Sequence, residues 1–370
     1  MVIDTRERDV KLSFPTDEKG ERRASCRVRL SDGLLPRDSR LFSGTAALAA
    51  AVLSLSCGDK KLLSENLNAL SYGDIRHYYN EGGEDRKIGL SIGSRVRDDK
   101  LEVAVVLQGT EGAEWYSNFD LGYSAEHRGF SFAADFAELK LMDYVFTRAI
   151  GLEPSFFISG YSRGGAVANI LAKRLSDRYG INRVWCYTFA SPATTLSRRV
   201  GRYSSIFNLV RAEDFFTRVP PEGWGYIRYG HDISLSDLGD INEPFRRLTG
   251  EDYLGFTRRG TVDNFLRSVM TLAPNVHAYY ERRRSVGERR LSLYEFMTGV
   301  ADMLADQMDE TAADTFLSAM VSDYADLLTF LSSGADLMEM LSSAGGVPRC
   351  SVADSHSPAA YMASLQLFLG

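Results

Sequence analysis

The sequence predicts an α/β protein built on a mainly parallel central sheet, with helices ahead of it and a helical insertion towards the carboxyl terminus. Two patterns carry that expectation. Between residues 88 and 210 short apolar runs alternate with longer segments of helical periodicity, and such strands pair in parallel with helices on both faces. Within that stretch, Phe156-Phe157-Ile158-Ser159-Gly160-Tyr161-Ser162-Arg163-Gly164-Gly165 reads as an apolar strand turning sharply through a serine into a helix. The composition agrees, because 370 residues with 44% apolar and 25% charged side chains can bury one large core, alone or with an added subdomain.

Residues 1–40 are polar, with one strand candidate at 25–30, and helices are expected at 46–55 and 61–70, the first opened by Ser43-Gly44-Thr45. Strands follow at 88–96 and 101–107, then a helix at 133–150 and the strand at 156–159. In the helix expected at 166–179, Val167, Ile170, Leu171 and Leu175 fall on one face and Lys173, Arg174 and Asp177 on the other. Strands at 184–189 and 206–210 complete the alternation. From 291 to 341 the chain turns helical, Met-rich and acidic, with Met297, Val300, Met303, Leu304 and Met308 at helical spacing. This is either an insertion packed on the core or a flexible apolar cap over an acyl-binding groove. A short last strand at 345–352 leads through Asp354-Ser355-His356 to Ser357-Pro358, an N-cap and first helical residue for 359–369. The expected organisation is therefore an N-terminal extension with helices (1–85), the core (86–280), the helical insertion or cap (281–345), and the last strand, histidine loop and final helix of the core (346–370).

A formal charge of −6 supplies no electrostatic reason for a nucleic acid or an anionic membrane as partner. The most apolar run, 46–55, is too short to span a bilayer, so stable membrane insertion is not expected. The amino terminus is charged from the start and lacks the apolar core of a signal peptide, which points to the cytoplasm. Cys26, Cys57, Cys186 and Cys350 are widely spaced with no Cys-x-x-Cys pair, so neither a metal site nor a disulfide framework is indicated.

The turn through Ser162 has the makings of a nucleophile elbow. Gly160 and Gly164 let helix and strand pack closely while the serine takes a strained conformation with its hydroxyl outward. Gly89-Leu90-Ser91-Ile92-Gly93 matches the same Gly-x-Ser-x-Gly pattern, but it lies inside an alternating run with no helix after it and reads as an ordinary hairpin strand. A serine hydroxyl needs a histidine to take its proton and a carboxylate to hold that histidine's tautomer. With an order of nucleophile, acid and base along the chain, His77 and His127 come too early. Asp214, at the end of the 206–210 strand, is the candidate acid, with Glu213 beside it as the alternative. His231 follows closely and is expected in a loop or hairpin; His277 leads into an Arg-rich helix with no strand before it. His356, on the loop before the final helix, is the preferred base, with His277 as the alternative base. The oxyanion of the tetrahedral intermediate would be met by the backbone N–H of Arg163 and by the loop Gln108-Gly109-Thr110, where Thr110 could donate through backbone and hydroxyl.

Seven segments in order make the sequence resemble the class 3 lipases, the fungal-lipase-like α/β hydrolases, and within them a bacterial lipase-like branch. They are 105–110, 115–119, 127–130, 159–168, 187–192, 208–221 and 356–361. The resemblance implies the α/β-hydrolase fold, Ser162 as nucleophile, Asp214 as acid, His356 as base, and Thr110 with Arg163 as oxyanion hole. It implies a serine hydrolase of carboxylic esters, lipid or short-chain acyl, working without cofactor or metal and touching lipid surfaces at most transiently. Two departures stand out: Gln108 replaces the arginine common before Gly-Thr or Gly-Ser, and the interval from Asp214 to His356 is long. Residues 111–121 correspond to the family's lid, here short and acidic, which argues against interfacial activation. An amidase, thioesterase or phospholipase on the same triad, or a silent hydrolase-fold binding protein, are the rival readings. The oligomeric state is not legible.

Overall fold

The computed structural model of the chain describes residues 8–16, 21–30, 33–79, 81, 88–97, 99–109, 124–220, 225–260, 262 and 354–370. The expected helical insertion at 281–345 and the last strand at 345–352 lie outside the described residues.

Among the described residues seven strands form the central sheet in chain order: β3 (Gly73–Tyr78), β4 (Leu90–Arg97), β5 (Lys100–Leu107), β6 (Glu153–Tyr161), β7 (Val184–Phe189), β8 (Ile206–Val210) and β9 (His231–Ser234). The first three pair antiparallel, and from β5 to β9 all pairs are parallel. Period-two alternation divides each central strand between two cores. On β5, Val103, Val105 and Leu107 point to one face and Ala104 and Val106 to the other; on β6, Phe156 and Ile158 oppose Phe157 and Tyr161.

One face is covered by α3 (Arg128–Arg148) and α4 (Arg163–Tyr179), whose Phe130, Leu141, Val167, Ile170 and Leu171 are buried. The other face receives α1 (Gly44–Leu55), with α2 (Lys60–Ala69), a hairpin of β1 (Arg8–Pro15) and β2 (Arg23–Leu30), and the final helix α6 (Pro358–Leu369). Five alanines of α1, Ala46, Ala47, Ala49, Ala50 and Ala51, are buried. Such small side chains let the helix axis lie close to β6 and β7, which it contacts. Its amino end is capped by Ser43, whose hydroxyl accepts from Ala46 N–H at 3.2 Å, and Asp59 does the same for α2.

The helices and strands expected between residues 46 and 210, and the final helix, are present with shifted ends. Helix α4 begins at Arg163, three residues before its first apolar position, because the elbow feeds directly into it. Three strands escaped the sequence reading. β1 hides its alternation, Val10, Leu12 and Phe14, among charged residues, while β3 and β9 are short, largely polar edge strands. His231 is accordingly not in a loop or hairpin: it opens β9, pairs in parallel with Phe207 of β8, and is exposed. A short helix, α5 (Asn242–Thr249), follows and packs on α6.

Parallel strands bring their carboxyl ends to one edge, and there the chain leaves β5, β6 and β8 through the three candidate segments. A buried amide network sets α4 against β8. Asn169 Nδ2 donates to Asn208 Oδ1 (2.9 Å) and to Tyr229 O (2.8 Å), Thr188 Oγ1 donates to Asn208 Oδ1 (2.8 Å), and Thr194 Oγ1 donates to Asn169 Oδ1 (2.7 Å). Satisfied polar groups in a core specify one arrangement, and this one fixes the serine-bearing helix relative to the acid-bearing strand.

Candidate active site

Ser162 sits between β6 and α4 with φ 55° and ψ −124°, a conformation costly for any residue with a Cβ. Its own N–H is satisfied by Phe189 O at 2.8 Å, which pins the turn to the end of β7. The two glycines are sterically required. A Cβ on Gly160 would lie 2.2 Å from Gly164 O, and one on Gly164 would lie 2.3 Å from Leu107 O. The decoy serine, Ser91, is buried within β4 and hydrogen-bonded to His77 Nδ1 at 2.8 Å.

Asp214 follows β8 and caps a short helical turn, Phe215–Arg218, with Oδ1 accepting from Phe216 N–H at 2.9 Å. It is fully buried. Its Oδ2 accepts from Tyr361 Oη at 2.7 Å and from His356 Nδ1 at 2.8 Å, so three donors meet one carboxylate. Glu213 turns the other way, accepting from Ser236 Oγ at 2.7 Å.

His356 is half-buried, and its Nε2 lies 2.9 Å from Ser162 Oγ. The carboxylate on Nδ1 places the proton there and leaves Nε2 as acceptor for the serine hydroxyl. The ring lies against Phe216, with centroids 4.5 Å apart, and its backbone carbonyl accepts from Tyr161 Oη. Ser357 caps α6 by accepting from Ala360 N–H at 3.2 Å, with Pro358 at the first helical position. The other described histidines are elsewhere: His77 is held between Ser64 and Ser91, and His127 stacks on Phe130 at 4.0 Å.

The structure thus brings together Ser162, Asp214 and His356. Arg163 is the first residue of α4, where a backbone N–H needs no acceptor within the helix, and a Cβ placed on Gly109, just after β5, would lie 3.8 Å from Ser162 Cβ. Thr110, the 111–121 segment and His277 lie outside the described residues. Among the described residues, no group of three or more His, Cys, Asp and Glu is arranged to hold a metal ion, and Cys26, Cys57 and Cys186 form no disulfide there. No helix among them is long and apolar enough to cross a membrane.

Three tyrosines and an arginine complete the surroundings without having been singled out from the sequence. Tyr361 is buried against Asp214, and burial together with that charge drives its phenol well above the usual tyrosine range, so it remains a donor. Tyr161 packs edge-on against Tyr361 at 5.6 Å, and Tyr253 and Arg211 lie behind the histidine loop. Only Tyr361 left a trace in the sequence, five residues after the histidine and on the helix that follows its loop.

Residues 106–224 match the family model of the class 3 lipases. Solved structures similar to the chain include the Rhizomucor miehei lipase–propeptide complex, 16% identical, covering 51% of this chain and 67% of that one, with a TM-score of 0.40. A lipase from Rhizopus microsporus var. chinensis is 15% identical, covers 63% and 84%, and has a TM-score of 0.39. Lipase II from Rhizopus niveus is 15% identical, covers 51% and 77%, and has a TM-score of 0.38. Likenesses this slight transfer neither residue roles nor substrate. No curated protein sequence matches closely enough to count as a relative.

Proposed function

With residues 106–224 a class 3 lipase segment, the chain is a lipase-like serine ester hydrolase, and we propose that Ser162, His356 and Asp214 carry its chemistry on lipid or short-chain acyl esters. The observation that carries the reading is the pair of hydrogen bonds made by one imidazole, 2.9 Å to Ser162 Oγ and 2.8 Å to Asp214 Oδ2. Ser162 Oγ attacks the ester carbonyl carbon as His356 Nε2 takes its proton. The imidazolium is steadied by buried Asp214, and the carbonyl oxygen becomes an oxyanion. The Arg163 backbone N–H, at the positive end of α4, faces that charge, and Thr110 is the proposed second donor. Collapse of the tetrahedral intermediate breaks the ester C–O bond, and the proton on Nε2 goes to the departing alkoxide. Water, deprotonated by the same imidazole, then releases the acid from acyl-Ser162.

Exposure to a fluorophosphonate probe tests the nucleophile. Labelling should vanish in Ser162→Ala, and undiminished labelling of that variant sinks the assignment. In an ester-hydrolysis assay His356→Ala should lose turnover by a factor on the order of 10⁴ or more while His277→Ala keeps it. A parent chain that takes no probe at all leaves the silent binding protein as the reading. Esters of graded chain length, with amide, thioester and phospholipid analogues, separate the enzymatic alternatives.

A further inference from the structure

We propose that Arg211 is a positioning residue for His356, holding the histidine loop in register with the acid-bearing loop from behind; the proposal rests on the reading of His356 as the base. Arg211 directly follows β8, three residues before Asp214, and is 3% exposed. Its guanidinium donates through Nη1 to Ser355 O at 3.3 Å and through Nη2 to Tyr253 Oη at 3.0 Å. Those two contacts join three segments. Tyr253 Oη donates to Phe256 O (2.9 Å) and accepts from Ser355 Oγ (3.3 Å), Ser355 Oγ accepts from Phe256 N–H (2.6 Å), and Asp354 Oδ2 accepts from Leu254 N–H (2.9 Å). Asp354 and Ser355 are therefore stitched to the 253–256 turn, and Arg211 ties both segments to the end of β8. Its backbone serves the same junction. Arg211 N–H donates to Tyr361 Oη at 3.3 Å, and Arg211 O accepts from Thr217 Oγ1 at 3.1 Å within the loop that carries Asp214.

As a device for stability alone the arrangement is poor. The counter-charge, Glu213, is also buried, yet its Oε2 lies 3.8 Å from Nε, and Nε makes no hydrogen bond among the described residues. Burying two charges at such a separation is unfavourable relative to apolar side chains of similar size. What the guanidinium does supply is direction. A planar group with fixed donors meets the carbonyl of the residue before His356 and a phenol that grips the same residue's side chain. The imidazole must approach Ser162 Oγ along one line, and displacement of about 1 Å is enough to cost on the order of 100-fold in rate.

The test is the rate constant and the amplitude of fluorophosphonate labelling of the full chain. In Arg211→Met combined with Glu213→Gln, which leaves no lone buried carboxylate, the rate constant should fall about tenfold or more while the labelled fraction at completion stays full. Arg211→Lys, retaining a donor for Ser355 O, should recover part of the loss. A purely structural role predicts the converse, a reduced labelled fraction with an unchanged rate constant, and that outcome, or a rate constant within about twofold of the parent at full amplitude, overturns the proposal. Should the double variant not fold, Tyr253→Phe decides. It keeps the ring and removes the hydroxyl, and a rate constant lowered about threefold or more supports the role while an unchanged one overturns it. A parent that labels normally beside an unaffected variant defeats this inference alone, whereas a parent that never labels defeats the catalytic reading beneath it.

Discussion

Asp214 Oδ2 is shared between the imidazole of His356 and the phenol of Tyr361. The phenol helps hold the buried carboxylate oxygen where the imidazole meets it, and without it that oxygen keeps one donor fewer. Tyr361→Phe leaves the ring in its edge-on contact with Tyr161 but removes the hydroxyl. On the proposed triad, kcat/KM for an ester substrate should fall by about threefold to tenfold. An unchanged kcat/KM contradicts the role given to Tyr361. Denaturant unfolding of the same variant should record a loss of about 1.5–3 kcal/mol, the usual worth of a hydrogen bond to a charged group.

At the scale of elements, the decisive contact is the crossing of α4 over the ends of β5 and β6. Its closeness is set by glycine. A Cβ on Gly164 would meet Leu107 O at 2.3 Å and Gln108 O at 2.4 Å, both backbone atoms that cannot rotate aside. Gly164→Ala must therefore lift the amino end of α4 away from β5, and with it the Arg163 N–H proposed as an oxyanion donor. Loss of one such donor costs about 10²–10³ in rate, so labelling of Ser162 should slow by at least about 100-fold, with a lowered Tm. Unchanged labelling would show that the helix does not need that proximity. This element was the most legible part of the chain, because strand alternation, helical spacing and paired glycines all fall within twenty residues. Strand β1 was illegible for the opposite reason: its three buried side chains, Val10, Leu12 and Phe14, alternate with charged and polar neighbours over too short a span.

Across the whole molecule, the sheet is buried on both faces, and the N-terminal hairpin contributes to the same core as the strands beside the site. Phe14 is fully buried in the cluster that also holds Phe157, Tyr187 and Phe207. Trp185 of β7 donates its indole N–H to Pro36 O at 2.9 Å, a second tie between the first forty residues and the sheet. Phe14→Ala should therefore destabilise the protein by about 3–5 kcal/mol, the range for truncating a buried phenylalanine. In urea the chain should unfold in one transition displaced as a whole; a separate early transition for the hairpin would show that it is an independent unit.

Taken alone, the amino-acid sequence determined the α/β class, the place of the elbow and the identity of Ser162, since these depend on sterics and periodicity between near neighbours. It preferred Asp214 to Glu213 as acid and His356 to His277 as base, but could not decide either choice. Those choices turn on contacts across 142 and 194 residues, which no local pattern encodes. Tertiary structure decided that Asp214 faces inward while Glu213 pairs with Ser236, that His356 meets Ser162, and that Tyr361 and Arg211 stand behind them. The physical reason is that a side chain's orientation follows from its own turn, but the partner it meets follows from how the sheet assembles.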